Sequence, residues 1–291
     1  MVGKIIQETF SHTWHWHTWQ GLPYLTCSLL EPWNHGFFTS AFSPRTPSEI
    51  VGALRSDALV YRVRQVHGNT VLTPSEIENA ANAVKNEGQE EPERPPADGI
   101  LTEQSQQSVW VCSADCTPVL IADEKTGQVA AVHAGWRGTA SRIVPNAIAR
   151  LLDSGSHLEN LRIAMGPAIA GEVYQVSETV AAEVGASIIS PDKADTTESI
   201  LDILQQLPNS PILDDPKPGR VRLDVRRVNA IQLEQLGIHA EQVAIAPHCT
   251  YQQPEHFFSY RRDKLKKVQW SGIVSSTSEA SLRVLSAESS F

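Results

Sequence analysis

Apolar positions concentrate between about residues 109 and 274 and thin out on either side. Residues 109–112, 119–122 and 129–132 are short, nearly unbroken apolar runs, the pattern of strands covered on both faces. Residues 161–165, 243–246 and 268–270 have the same character, the first stopped by Gly166-Pro167. A helix is predicted over 141–152, where Pro145 is tolerable only in the first turn. Ser177 predicts an N-cap for a helix over 178–184 that ends at Gly185. Asp224 caps a stronger helix, with Val228, Ile231, Leu233 and Leu236 as its apolar stripe and Gly237 as its stop. Strands and helices interleave without a strict βαβ rhythm. This predicts one α/β (α+β) domain over 1–274, a layered sandwich of mixed β-sheets and helices.

The flanking segments are less regular. Up to residue 59 the pattern is irregular, although in Trp14-His15-Trp16-His17 the tryptophans would share one strand face and the histidines the other. Residues 74–97 are predicted as an exposed, mobile loop insertion, because 86–96 is acidic, Pro-rich and almost free of apolar side chains. Residues 190–220, with Pro191, Pro208, Pro211, Pro216 and Pro218, form a second insertion in which only 200–207 suits a short helix. Residues 275–291 form a polar, Ser-rich tail.

Composition narrows the function classes. The chain has 291 residues, 41% hydrophobic and 20% charged, with a formal net charge of −9. That balance excludes broad binding of polymeric nucleic acid, which needs a basic surface, but leaves room for a small basic pocket. No apolar run approaches the roughly 18 residues of a membrane helix, so no membrane partner is expected. The N-terminus lacks the apolar core of a signal peptide. Four cysteines are too few for a disulfide scaffold of this size; free thiols in a reducing cytoplasm are the better reading.

Three blocks place reactive residues at strand ends: Gln65-Val66-His67-Gly68, Ser113-Ala114-Asp115-Cys116-Thr117-Pro118 and Val132-His133-Ala134-Gly135-Trp136-Arg137-Gly138. Singly, each has a bland explanation: a loop histidine, a small buried thiol, a turn cap. Together, two imidazoles and one thiolate suit Zn²⁺ and leave a coordination position open, as catalytic sites do. Copper would accept the same donors. Cys116 as a nucleophile, with His133 as base and Asp115 as orienter, is an alternative. A closed site with His248 or Cys249 as fourth ligand would instead describe a non-enzymatic metal-binding protein. His15 and His17 make a single His-x-His pair, too few for a multicopper centre. Farther on, Arg261 and Arg262 present planar forks for phosphate or carboxylate, and Tyr251 and Tyr260 could stack on a flat ring.

These blocks, with Gly166-Pro167-Ala168-Ile169, Cys249-Thr250-Tyr251 and Phe257-Phe258-Ser259-Tyr260-Arg261-Arg262-Asp263, resemble the laccase-domain family. That family is also described as YfiH-type or multicopper polyphenol oxidase-like. The resemblance keeps its order from Gln65 to Asp263. It implies an α/β sandwich, zinc held by His67, Cys116 and His133, and purine nucleoside phosphorylase chemistry on adenosine, inosine and methylthioadenosine, with adenosine deamination. It also carries a copper-dependent phenol oxidase label and a peptidoglycan-editing label, the latter implying an amide hydrolase. The partners implied are a small nucleoside and phosphate. Under that reading Arg137 holds phosphate with Arg261 or Arg262 assisting, Asp115 transfers a proton, and Tyr174, Tyr251 and Tyr260 supply a flat wall. The chain departs from the family at its entry, where Phe37-Phe38-Thr39-Ser40-Ala41-Phe42 replaces a Gly-rich segment, and in its long insertion around 87–96.

Overall fold

The computed structural model describes residues 12–83, 94–190 and 192–276. In chain order the strands are β1 (Trp14–Trp19), β2 (Leu22–Cys27), β3 (His35–Phe38), β4 (Leu59–Tyr61), β5 (Val71–Leu72), β6 (Gly99–Leu101), β7 (Gln107–Ser113) and β8 (Thr117–Asp123). They continue as β9 (Val129–Ala134), β10 (Leu161–Met165), β11 (Gln175–Ser177), β12 (Ile212–Asp214), β13 (Arg220–Leu223), β14 (Val243–Ile245) and β15 (Gln269–Val274). The helices are α1 (Pro47–Ile50), α2 (Pro74–Ala83), α3 (Trp136–Ala140), α4 (Ile143–Asp153), α5 (Glu178–Gly185), α6 (Thr197–Gln206), α7 (Val225–Gln235) and α8 (Tyr260–Asp263).

Two six-stranded mixed sheets, ordered β1-β2-β3-β15-β7-β4 and β14-β10-β8-β9-β6-β5, lie face to face. The period of two along each strand builds the layers. On β8, Leu120 and Ala122 enter the core between the sheets, while Val119 and Ile121 face α4 and α7 on the other side. On β7, Val109 and Val111 point inward, and Trp110 points outward to Phe38, Phe42 and Ile50. The buried Trp110 indole N–H donates to Ser108 Oγ at 3.0 Å, so its polar end is satisfied. Among the described residues, no helix is long and apolar enough to cross a membrane.

A third sheet, ordered β11-β13-β12, packs with α5 and α6 around Val184, Leu204 and Leu223. The short helix expected at 200–207 is α6, whereas β12 and β13 correct the reading of the rest of 190–220 as a loop insertion. Thr196 and Ser199 cap α6 reciprocally, and Pro208, Pro211, Pro216 and Pro218 fall between elements rather than inside them.

Residues 74–83 are likewise not a loop. Thr73 Oγ1 accepts from the Glu76 amide at 3.3 Å, and the Glu76 carboxylate accepts from the Thr73 amide at 2.8 Å, which starts α2 with a capping box. Arg150 of α4 clamps the same carboxylate through both terminal nitrogens at 2.9 Å, and Ile77 is buried against the sheet. One apolar anchor and one ion pair overrode a polar composition. Residues 84–93 of that expected loop and the tail from 277 lie outside the described residues, while its end is not exposed: Pro96 bridges to Arg64 and Ala97 is fully buried. The helix predicted over 141–152 is α4, with Pro145 in its first turn, and Arg142, in the left-handed region at φ 61°, separates it from the short α3 before it.

Candidate functional site

β8 and β9 pair in antiparallel register, with Pro118 opposite His133 and Thr117 opposite Ala134. Cys116, just before β8, therefore faces the end of β9, which carries His133. His67 lies in the turn between β4 and β5 with φ 61°. The ligand atoms of His67, Cys116 and His133 all lie within 4.8 Å of one another. They form the only such trio of His, Cys or acidic side chains among the described residues.

The sequence reading missed Asp98, the residue that assembles this trio. It is fully buried just before β6, and its carboxylate accepts from the amides of Val66, His67 and Gly68 at 3.1, 2.9 and 2.7 Å. The same carboxylate lies 2.8 Å from His133 Nδ1, and the Asp98 carbonyl accepts from the His133 amide at 2.7 Å. One side chain thus shapes the His67 turn, occupies Nδ1 of His133 and leaves Nε2 for a ligand, as the carboxylate partners of metal-bound histidines do. The available sequence signal was an acidic residue entering a strand beside apolar Ala97. Burial alone would raise the Asp98 carboxyl, and its donors from His133, Gly68 and Val66 outweigh burial and hold it below the usual carboxylate range.

Burial also pushes the Cys116 thiol up, but the charge and hydrogen bond of His133, then His67, bring it down to about 6. Burial pushes His133 down, and Cys116 and Asp98 together raise it to about 9. At Cys112 burial outweighs the nearby Arg62 charge and takes the thiol up to about 11. An N₂S donor set with a stabilised thiolate fits a borderline-soft divalent ion. Gly135 supplies the space: a Cβ there would sit 2.9 Å from Cys116 Sγ and 3.2 Å from His67 Cδ2.

The trio opens into a cavity of about 640 Å³ that is also lined by Ser113, Asp115, Trp136, Arg137, Tyr174, Tyr260 and Arg261. Gly135 initiates α3, which carries Arg137; its guanidinium lies 4.3 Å from the Trp136 ring centroid. Arg261 lies 4.6 Å from the Tyr174 centroid and donates to the Gln175 carbonyl at 2.8 Å. These rings serve first as platforms for cations. Burial first, then the Cys116 charge, raises the Tyr174 phenol to about 12, so it stays protonated. The Ser113 hydroxyl, 3% exposed, has no partner among the described residues.

Asp115, at φ 89°, accepts from the Thr250 hydroxyl at 2.8 Å and from the Arg261 amide at 2.7 Å. Both carboxylate oxygens are engaged, so this residue ties α8 to the turn that carries Cys116. Two sequence assignments fail on geometry. The Arg262 guanidinium donates to the carbonyls of Thr250, Tyr251 and Phe257 and grips Asp263 through Nε and Nη2, which uses all five N–H groups. It is a structural clamp. Tyr251, in the turn so clamped, does not line the cavity. The fourth-ligand candidates are elsewhere too: Cys249 Sγ accepts from the Ala170 amide at 3.3 Å, and the His248 ring lies against Trp16. As an orienter of His133, Asp98 takes the place expected of Asp115.

The sequence model described as multi-copper polyphenol oxidoreductase laccase matches residues 48–275. The chain belongs to this family. Similar proteins include a purine nucleoside phosphorylase of Synechocystis sp., 52% identical over 262 residues that cover 90% of this chain and 97% of that protein. A purine nucleoside phosphorylase of Corynebacterium glutamicum is 31% identical over 216 residues, 74% of this chain and 73% of the relative. Two solved structures share the fold. YlmD from Geobacillus stearothermophilus has a TM-score of 0.69 at 19% identity, covering 90% of this chain and 98% of its own. The hypothetical protein YfiH of Bacillus licheniformis has a TM-score of 0.68 at 23% identity, covering 87% and 96%.

Proposed function

We propose that the protein is a cytoplasmic, zinc-dependent purine nucleoside phosphorylase acting on adenosine, inosine and methylthioadenosine, with adenosine deaminase activity. One observation carries the reading: the His67, Cys116 and His133 trio and two ring-supported arginines share one cavity. The 52% identical relative carries the phosphorylase name. The four free cysteines suit a reducing compartment.

Phosphorolysis requires phosphate to be held beside the anomeric carbon while the purine departs. Arg137 and Arg261 face the cavity as planar donors, each fixed in place by a ring, which suits bidentate capture of phosphate oxygens. Zinc, when bound by the trio, would supply a Lewis acid that polarises an oxygen and lowers the pKa of a water, the chemistry that deamination needs. Tyr174 offers a phenolic donor, and Ser113 offers a hydroxyl for a sugar or base atom. Asp115 accepts from the Arg261 amide and holds that residue in place.

A second reading rests on the Cys116–His133–Asp98 chain, which is the arrangement of a thiol hydrolase. His67 at the same sulfur favours the ligand assignment, because a nucleophile must be left open to substrate. The test is to incubate the purified protein with adenosine, with and without phosphate, and identify the products by chromatography. Adenine and ribose 1-phosphate should form only with phosphate, and inosine in both. Stripping the metal with a chelator should stop both reactions; survival of activity would favour the thiol reading. No conversion of any nucleoside by metal-replete protein would overturn the proposal.

A further inference from the structure

The cavity carries more positive charge than one inorganic phosphate needs. Beyond Arg137 and Arg261, its outer wall is formed by Lys264, Lys266 and Lys267, with Leu265 and Val268 between them. Against these five cations, Asp115 is the only carboxylate in the lining among the described residues, and both its oxygens are engaged. Asp263, beside the rim, is gripped by Arg262. In a chain of net charge −9 this is a local reversal of sign, and a concave wall concentrates its field.

The rim is fixed relative to the inner site. The Arg261 amide is tied to Asp115, the neighbour of Cys116, and the chain leaves α8 three residues later at Lys264, in the left-handed region at φ 57°. Lys264 Nζ lies 5.6 Å from the Tyr260 ring centroid, and Lys267 Nζ lies 5.6 Å from that of Phe258. Those rings sit under two ammonium groups at the mouth, and a contact with a ring face uses none of the ammonium's hydrogen-bond geometry towards oxygen acceptors. A cavity of about 640 Å³ falls within the range of sites that enclose drug-sized molecules, so it accepts a ligand longer than a nucleoside.

We infer that the cavity binds nucleoside 5′-monophosphates in preference to nucleosides: the sugar and base occupy the inner site, and the 5′-phosphate lies against the lysine rim. The inference rests on the nucleoside reading of the inner site. It makes nucleotides competitors of nucleosides there.

The test is calorimetric titration of the zinc-loaded, phosphate-free protein with adenosine and with adenosine 5′-monophosphate at low and physiological ionic strength. Adenosine 5′-monophosphate should bind at least tenfold more tightly than adenosine at low salt, with a smaller ratio at physiological salt as screening grows. In the triple variant Lys264→Gln, Lys266→Gln, Lys267→Gln the ratio should fall towards one; circular dichroism verifies that the variant is folded. Inorganic phosphate alone, at the same concentration, should bind more weakly than the nucleotide. Equal or weaker binding of the nucleotide while adenosine binds would overturn the rim assignment alone. A ratio unchanged in the triple variant would do the same. Binding of neither compound would sink the nucleoside reading and this inference with it.

Discussion

His133 Nδ1 lies 2.8 Å from Asp98 Oδ1, with the two side chains 3% and 0% exposed. This contact fixes the imidazole that completes the candidate metal trio, and the same carboxylate closes the His67 turn. Asp98→Asn removes the charge and leaves a near-isosteric side chain. Metal affinity, read by competition with a chromogenic chelator, should fall about tenfold to hundredfold. Native affinity in the Asn variant would show that Asp98 does not organise the ligands.

Gly135→Ala tests the space around the thiolate. The new methyl would stand 2.9 Å from Cys116 Sγ, closer than side chains approach without displacement. Overpacking of this kind costs about 1–3 kcal/mol, and here it falls on two ligands at once. The variant should fold with a lowered melting temperature and bind metal weakly. Full metal occupancy by elemental analysis would refute the argument.

Arg137 and Arg262 should respond to the same substitution in opposite ways. Arg137→Lys keeps the charge but loses the fork, so phosphorolysis should drop about tenfold to hundredfold, the equivalent of one charge-assisted hydrogen bond of roughly 1.5–3 kcal/mol. Deamination, which uses water, should fall less, and the melting temperature should hold. Arg262→Lys discards a five-donor clamp on Thr250, Tyr251, Phe257 and Asp263, so its melting temperature should fall. Equal stability of the two variants would contradict these roles.

His35 makes acid stability specific. Its Nε2 accepts from the Cys27 amide and its Nδ1 donates to the Trp33 carbonyl, both at 2.8 Å. Burial, with a smaller contribution from His17, lowers its pKa from 6.5 to about 4 against the opposing backbone bonds. Between those values the unfolded chain binds a proton that the native state refuses. Stability is therefore complete above 6.5 and is lost as pH falls towards 4, by about 3 kcal/mol at most. In an NMR titration the His35 ring should remain neutral at pH 5.5; a midpoint near 6.5 would contradict this.

The central strands were legible because two-sided burial writes itself as apolar runs, and β7 to β10 follow those runs closely. That His67, Cys116 and His133 come together was legible because imidazole and thiolate sit in distinctive blocks. Asp98 was not, since a lone acidic residue has no pattern and its role exists only once β6 lies beside β9. Arg262 was misread for a related reason: in sequence a guanidinium looks the same whether its donors face a ligand or three backbone carbonyls. Helix α2 was hidden because its burial rests on little more than Ile77 and its cap on a single Thr73–Glu76 exchange. The lysine rim was overlooked because residues 264–268 belong to no regular element, and only the fold brings them to the mouth of the cavity.

Trp136 and Tyr174, the platforms under the two cavity arginines, pack against the cluster built by α5, α6 and the third sheet, whereas Cys116 and His133 belong to the central sandwich. The site therefore stands on two foundations of unequal size. Loosening of the smaller one would release the arginines from their rings without touching His67, Cys116 or His133. On the proposed reading, such a molecule, warmed or mildly denatured, would lose its hold on substrate before its hold on the ion, and metal content would then be a poor measure of how much working enzyme remains.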